Sequence, residues 1–364
     1  MYRLRRGLAY FSGLRPNICE RGNIVCAEIL FQIEDWGMLA RLPGGNVYYL
    51  VTMAKAAANP ADYIQPLYIN GMNGRMLRAP AVKTQAAGRE ILLVYGHHAL
   101  LERWWGLVEN LQEYGNVTMP DLPGFGGMDS FPRIGRAPTL DNYADYLAAF
   151  IKMRYRNRRV TLVGISFGFL VMTRMLQRYP ELSRKVDLVV SIVGFMHRND
   201  FLFPPRTRRA YSLLARFFGT VPVSFIIRYG FLNRYVIKNI YVRLPIGKRR
   251  FISMTEEDFA NLMDFEVLLW QRNDVRTHWR TTSEFLRIDN CRAQIPLPVW
   301  HVAAKSDHYF DNYVVEQHMR VVYSSYHKAV MNSAAHTPSI LGDKKELAIM
   351  VPAGLRKALR TKSA

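Results

Sequence analysis

The stretch Gly-Ile-Ser-Phe-Gly, Gly164 to Gly168, joins a β-branched run to an apolar one. A strand that turns sharply into a helix can hold its turn residue in a strained backbone conformation. Strand and helix then come very close, so small neighbours are needed. Gly164 and Gly168 provide that room, and Ser166 is expected to project its hydroxyl from the end of the sheet, clear of the core. The helix N-terminus beneath it would offer unpaired N–H groups and a partial positive charge, which favour a developing oxyanion. A free serine is a weak nucleophile near neutral pH. It needs a base within hydrogen-bond reach, and the base needs an orienting carboxylate.

Such a serine must be positioned by the elements around it. EILLVYG, Glu90 to Gly96, reads as a buried strand, and Trp104, Leu107, Val108 and Leu111 then recur at helical spacing. NVTMPDLP is a strand running into a loop. Thr139 can cap the next helix, with Asp141 in its first turn and Tyr143, Leu147, Phe150 and Ile151 on its core face. RRVTLVGIS is a strand, FGFLVMTRMLQRYP a helix, and Lys185 to Phe195 another buried strand. This alternation predicts an α/β fold with a mostly parallel sheet and helices on both faces. Tyr68 to Pro80 reads as a hairpin with Asn-Gly turn signals. The pattern breaks for about 95 residues of mostly helical, Arg- and aromatic-rich chain. It returns at PLPVWHVAAKSD, followed by a helix near 312–323, a strand through HKAVMNS, a helix from Lys344 to Met350 and a basic tail.

Four segments together resemble the α/β-hydrolase fold superfamily, of the serine hydrolase type with a helical cap. VYGHHALLERWW resembles its first loop, DLPGFGGMD its Asp-x-x-Gly-x-Gly loop, and VGISFG its nucleophile elbow. VWHVAAKSDHYFD and SAAHTPS resemble the late strand ends that carry the acid and the histidine. The resemblance implies Ser166 as nucleophile, His336 as general base, Asp307 as the carboxylate that orients it, and the backbone N–H groups of Phe167 and His97 as the oxyanion hole. It implies no cofactor and no metal. Asp200 and Asp311 compete with Asp307, which would otherwise cap the following helix. His301 reads as structural and Asp121 as loop-shaping. Tyr95, His98, Met128 and Phe169 depart from the family pattern and put the loop geometry at issue. The implied division is an N-terminal extension (1–60), a first core part (61–195), a basic aromatic cap (196–290) and a second core part with a basic tail (291–364).

Charge is lopsided, 49 Lys plus Arg against 29 Asp plus Glu, a formal +20. An anionic partner follows. From Phe201 to Thr255 there is no acidic residue among eleven basic ones, interleaved with Tyr and Phe. This span would settle on an anionic membrane and admit lipophilic substrate. A packed helical cap with a solvated basic face is the competing reading, and nucleic acid ranks below both because no binding module is visible. Leu4, Leu8 and Phe11 could share a helical face ringed by arginines, a weak surface anchor. Cys19, Cys26 and Cys291 fit neither a metal site nor a disulfide framework, and no apolar run approaches a membrane span, so the expected location is cytoplasmic, peripheral on the inner membrane face. The expected function is hydrolysis of a carboxylic ester with a lipophilic acyl group. Carbon–carbon bond hydrolysis with the same residues, and a non-catalytic membrane-associated binding protein on this scaffold, are the alternatives. Oligomeric state is not legible.

Overall fold

The structure is a computed structural model that describes residues 28–33, 37–41, 48–51, 59–233, 235–237, 256–333, 336 and 342–361, with only the backbone given before 59 and at 256–259. Residues Met1–Ala58 and Asn59–Ala364 are two units. In the first, β1 (Glu28–Ile33), β2 (Gly37–Arg41) and β3 (Tyr48–Val51) form an antiparallel sheet. The anchor expected over Leu4 to Phe11, and Cys19 and Cys26, lie outside the described residues.

The second unit opens on a hairpin, β4 (Ile64–Ile69) and β5 (Met72–Ala79). Its two-residue turn is Asn70-Gly71, both at positive φ, which matches the right-handed twist of the strands. Then come β6 (Glu90–Val94), α1 (Trp105–Leu111), β7 (Asn116–Pro120), α2 (Leu140–Arg154), β8 (Val160–Ile165), α3 (Phe167–Arg178) and β9 (Val186–Ile192). Every residue of β6 and β8 is buried, which is why these strands read as continuous apolar runs. Thr139 Oγ1 caps α2 by accepting the Asn142 N–H, and the four residues read as its core face are buried.

Between β9 and β10 the described residues are mainly helical: α4 (Pro205–Phe218), α5 (Val221–Ile226), a π-helical turn (Ile227–Phe231), α6 (Glu256–Arg272) and α7 (Val275–Phe285). The face of α4 that meets α7 is small. Ser212 Oγ lies 3.0 Å from Ser283 Oγ, and a Cβ on Gly219 would come within 3.0 Å of Arg280. The chain re-enters the sheet with β10 (Ile295–Ala304), α8 (Asn312–Val322) and β11 (Tyr323–Met331), then α9 (Lys344–Leu347) and α10 (Ala353–Arg360).

The sheet order is β11-β10-β9-β8-β6-β7-β5-β4, parallel from β7 to β11 and flanked by helices. From β6 the chain passes first to β7 on one side and then to β8 on the other. That reversal leaves a crevice beyond the carboxyl ends of β6 and β8, the place where open α/β sheets bind ligands. Within the segment read as a basic tail lies α10: Leu355 and Leu359, one helical turn apart, are buried, and Gly354 sits against the Trp300 ring. The charges at Arg356, Lys357 and Arg360 face solvent and mask this short apolar stripe in the sequence.

Candidate active site

Ser166 stands in that crevice, at the junction of β8 and α3, with φ +48° and ψ −113°. A residue with a Cβ pays for such a conformation on the order of 1–3 kcal/mol and keeps it only when the surroundings impose it. They do so through contact. A Cβ on Gly168 would lie 2.2 Å from the Val94 carbonyl oxygen and 2.6 Å from that of Tyr95, and one on Gly164 would lie 2.7 Å from Phe169 Cα. The Ser166 N–H donates to the Ile192 carbonyl at 2.9 Å, which fixes the turn from the β9 side.

His336, beyond β11, reaches Ser166 Oγ with Nε2 at 3.1 Å and Asp307 Oδ2 with Nδ1 at 2.7 Å. Asp307 follows β10. Its other oxygen accepts the backbone N–H groups of Tyr309 (2.8 Å) and Phe310 (3.3 Å), which aims Oδ2 at the imidazole. Burial alone would raise the Asp307 carboxyl. The bond and charge of His336, with the two amides, overcome this and hold it below the usual carboxylate range. Tyr309 and Phe310 flank the imidazole, each with ring centroid 5.3 Å away. A hydroxyl, an imidazole and a carboxylate so connected can move a proton from Oγ to Nε2 while the new charge stays paired.

The competing acids lie elsewhere in the hydrogen-bond network. Asp311 caps α8 by accepting the N–H groups of Tyr313 and Val314. Asp200 is fully buried: Oδ2 accepts the N–H groups of Met196 and His197, and Oδ1 meets His318 Nδ1. His197, Asp200 and His318 bring three potential metal-ligand atoms within 4.8 Å of one another. Asp200 thereby links the loop at the base of the insertion to α8 through His318. His301 is buried in β10, with Nδ1 2.9 Å from Ser191 Oγ.

Gly96, His97 and Phe167 line the same cavity as Ser166. A Cβ on Gly96 would stand 3.5 Å from Ser166 Cβ, so the loop after β6 lies directly against the serine. The His97 ring packs under the insertion, Nε2 lying 2.8 Å from Thr281 Oγ1 and 3.2 Å from the His278 carbonyl. Burial lowers its pKa to about 4, so it is neutral near pH 7. His98 takes φ +52°, where a glycine is frequent in the resembled family, and its Nδ1 accepts from Asn273 Nδ2 at 3.1 Å.

The other departures have partners as well. The Tyr95 hydroxyl donates to Asp121 Oδ1 (2.9 Å) and accepts the Leu122 N–H (2.8 Å), tying the end of β6 to the Asp121 loop. Arg75 bonds the second Asp121 oxygen at 3.0 Å and Glu102 at 2.7 Å. Sequence reading missed Arg75, which shares its hairpin strand with Arg78 and belongs to no motif. Met128 fits because Gly74 has no side chain: a Cβ there would come 1.9 Å from its Sδ. Phe169 fits because Gly194 lies beneath its ring.

The cavity over Ser166 measures about 610 Å³. Its walls are aromatic: Phe195 and Phe310 from the loops after β9 and β10, and Phe201, Phe218, Trp279 and Phe285 from the insertion. A space of this size and lining excludes water from an apolar group beside the serine.

A family model described as alpha/beta hydrolase fold matches residues 91–319. Methylesterase 1 of Arabidopsis thaliana is 27% identical over 133 residues, 36% of this chain and 46% of the relative, so the match spans about half of that protein. Among solved structures, a thermophilic esterase from Thermogutta terrifontis superposes with a TM-score of 0.55 at 15% identity, covering 82% of this chain and all of that one. The enol-lactonase from Burkholderia xenovorans LB400 gives 0.53 at 11% identity, covering 74% and 91%. The sheet order, the strained turn after β8 and a family match over well over half of the residues lead to one conclusion: the chain belongs to the alpha/beta hydrolase fold family.

Proposed function

We propose that this protein hydrolyses carboxylic esters with a lipophilic acyl group through an acyl-serine intermediate. The observation that carries the reading is the continuous hydrogen-bonded series Ser166 Oγ, His336, Asp307 at the floor of an apolar cavity. His336 takes the hydroxyl proton as Oγ attacks the ester carbon, and Asp307 stabilises the imidazolium. The backbone N–H groups of Phe167 and His97 receive the oxyanion, each donor being worth on the order of 3 kcal/mol of barrier. The alcohol leaves with the proton from His336. Water, deprotonated by the same imidazole, then releases the acid. The aromatic walls suit an acyl chain. Tyr95 and Phe169, which depart from the family pattern, are both accommodated by the hydrogen bonds and glycine contacts around them.

Residues 196–290 act in this reading as a cap over the cavity, and their basic, acid-free stretch draws the enzyme to an anionic membrane face from the cytoplasm. Fluorophosphonate labelling of the folded protein, with Ser166→Ala as control, tests the chemistry. The wild type should label and hydrolyse p-nitrophenyl esters, and the variant should lose labelling and at least about 10⁴-fold in kcat. Full activity in the variant would refute the reading.

A further inference from the structure

From Leu202 to Tyr235 the insertion turns large apolar side chains to solvent. Leu213 is 65% exposed, Phe217 58%, Phe225 62% and Tyr229 74%, with Val221 and Ile226 between them. On α4, Leu213 and Phe217 lie one helical turn apart, opposite the small seam that packs on α7, and Val221, Phe225, Ile226 and Tyr229 belong to the bent segment that follows. The outward face of α4 is therefore an apolar surface opposite the packed seam, and among the described residues its side chains stand open to solvent. A soluble monomer rarely leaves so many large apolar groups together in water.

The charge around this ridge selects the occupant. Arg206, Arg209 and Arg216 are exposed along α4, and no carboxylate occurs from 201 to 255. A partner must offer hydrocarbon and negative charge together, as an anionic bilayer does. No single helix among the described residues is long and apolar enough to cross a membrane. The pair Pro205–Phe218 and Val221–Phe231 meets that test only jointly and is bent by 77°. With α4 held on α7 by its inner face, the ridge fits a surface-seated element rather than a span.

Position in the fold gives the ridge a second role. Tyr211 and Leu214, about half exposed on α4, also line the cavity that holds Ser166. The exposed ridge and the cavity thus share a border. We infer that the 205–231 ridge seats in the interfacial layer of an anionic bilayer, and that the ester enters the cavity past Tyr211 and Leu214 directly from among the acyl chains. The route rests on the ester-hydrolase reading above, whereas the seating does not.

The test uses the full chain, wild type and Leu213→Glu/Phe217→Glu, two positions that do not line the cavity. Vesicles of phosphatidylcholine, with and without 30 mol% phosphatidylglycerol (~30%, a charge density near that of anionic membranes), are used for flotation. Hydrolysis is followed on p-nitrophenyl acetate in solution and on a long-chain ester dissolved in the same vesicles. The wild type should float with the anionic vesicles and much less with the neutral ones. The variant should lose flotation and at least tenfold of the vesicle-borne rate, while fluorophosphonate labelling and the acetate rate stay within about twofold. Equal flotation on both vesicle types, or a variant that still floats, overturns the seating. A variant that loses both rates equally overturns the route. Wild type that is dimeric without vesicles, and a variant that is monomeric, would assign the ridge to a second copy of the chain instead. Failure of the wild type to label defeats the ester-hydrolase reading and the route together, and flotation still decides the seating.

Discussion

Asp307 and Asp200 are both buried carboxylates paired with a histidine, yet they have different work. Asp307 spends one oxygen on two amides and one on His336, whose far nitrogen faces Ser166. Asp200 divides its oxygens between two amides and His318, away from the serine. Asp307→Asn should therefore lower kcat by about 10⁴-fold with folding largely retained, because the imidazole is left in the wrong tautomer. Asp200→Asn should leave kcat within a few fold and cost about 1–3 kcal/mol of stability, read from the urea midpoint. The reverse pattern would exchange their roles. The elbow serine and the order serine, acid, histidine were legible in the sequence because they depend on residue type and chain order. Which aspartate meets which histidine was not, since that depends on which oxygen the neighbouring amides leave free.

At the scale of elements, the loops around the serine are fixed by contacts between strands distant in sequence. Tyr95 joins the end of β6 to the loop after β7 through its single hydroxyl. Tyr95→Phe removes that hydroxyl and strands a buried amide and a carboxylate oxygen. A loss of about 1–3 kcal/mol is expected in chemical denaturation, with a fall in kcat because Gly96 and His97 continue directly from it. Unchanged stability would mean that water replaces the hydroxyl. Gly168→Ala should be far worse, since its methyl meets backbone carbonyls of β6 that have no flexible end to swing away. Its soluble protein should be scarce and should fail to label, and a variant that folds and labels normally would contradict the packing described. Strand and helix identities were readable here from period and burial alone. The role of Gly74 was not, because a glycine in an Asn-Gly pair reads as a turn residue until Met128 is seen filling the space beside it. In the same way, α10 was hidden by its own charges.

For the molecule as a whole, enclosed histidines set the response to acid. Burial lowers His97 to about 4 and His301 to about 3, and holds His98 and His278 well below the ordinary value. In the unfolded chain all four protonate near pH 6.5. Below that pH the unfolded state binds more protons, so stability falls with pH, by up to about 1.4 kcal/mol per unit for each imidazole, until the folded values are reached. His318 has the opposite sign. Its bond to Asp200 raises its pKa, so its contribution is complete below about pH 6.5 and is lost as pH rises through the folded value. The melting temperature should drop from pH 7 to pH 5, and His318→Gln should flatten the alkaline side. A midpoint that is level between pH 7 and pH 5 would contradict the enclosure of these rings.

Sheet order also has a consequence for how the chain is born. β9 lies beside β10, and Val189 to Ile192 pair with Val299 to Val302, yet about 100 residues of insertion are translated between them, which at the usual pace of synthesis takes on the order of 5–20 s. For that interval β9 emerges from the ribosome with one row of amides and carbonyls unpaired beside a hydrophobic sheet, followed by a segment that is itself apolar and cationic. Newly made chains should therefore be most vulnerable to off-pathway association, and most in need of a chaperone, while the insertion is being translated and before β10 closes the edge.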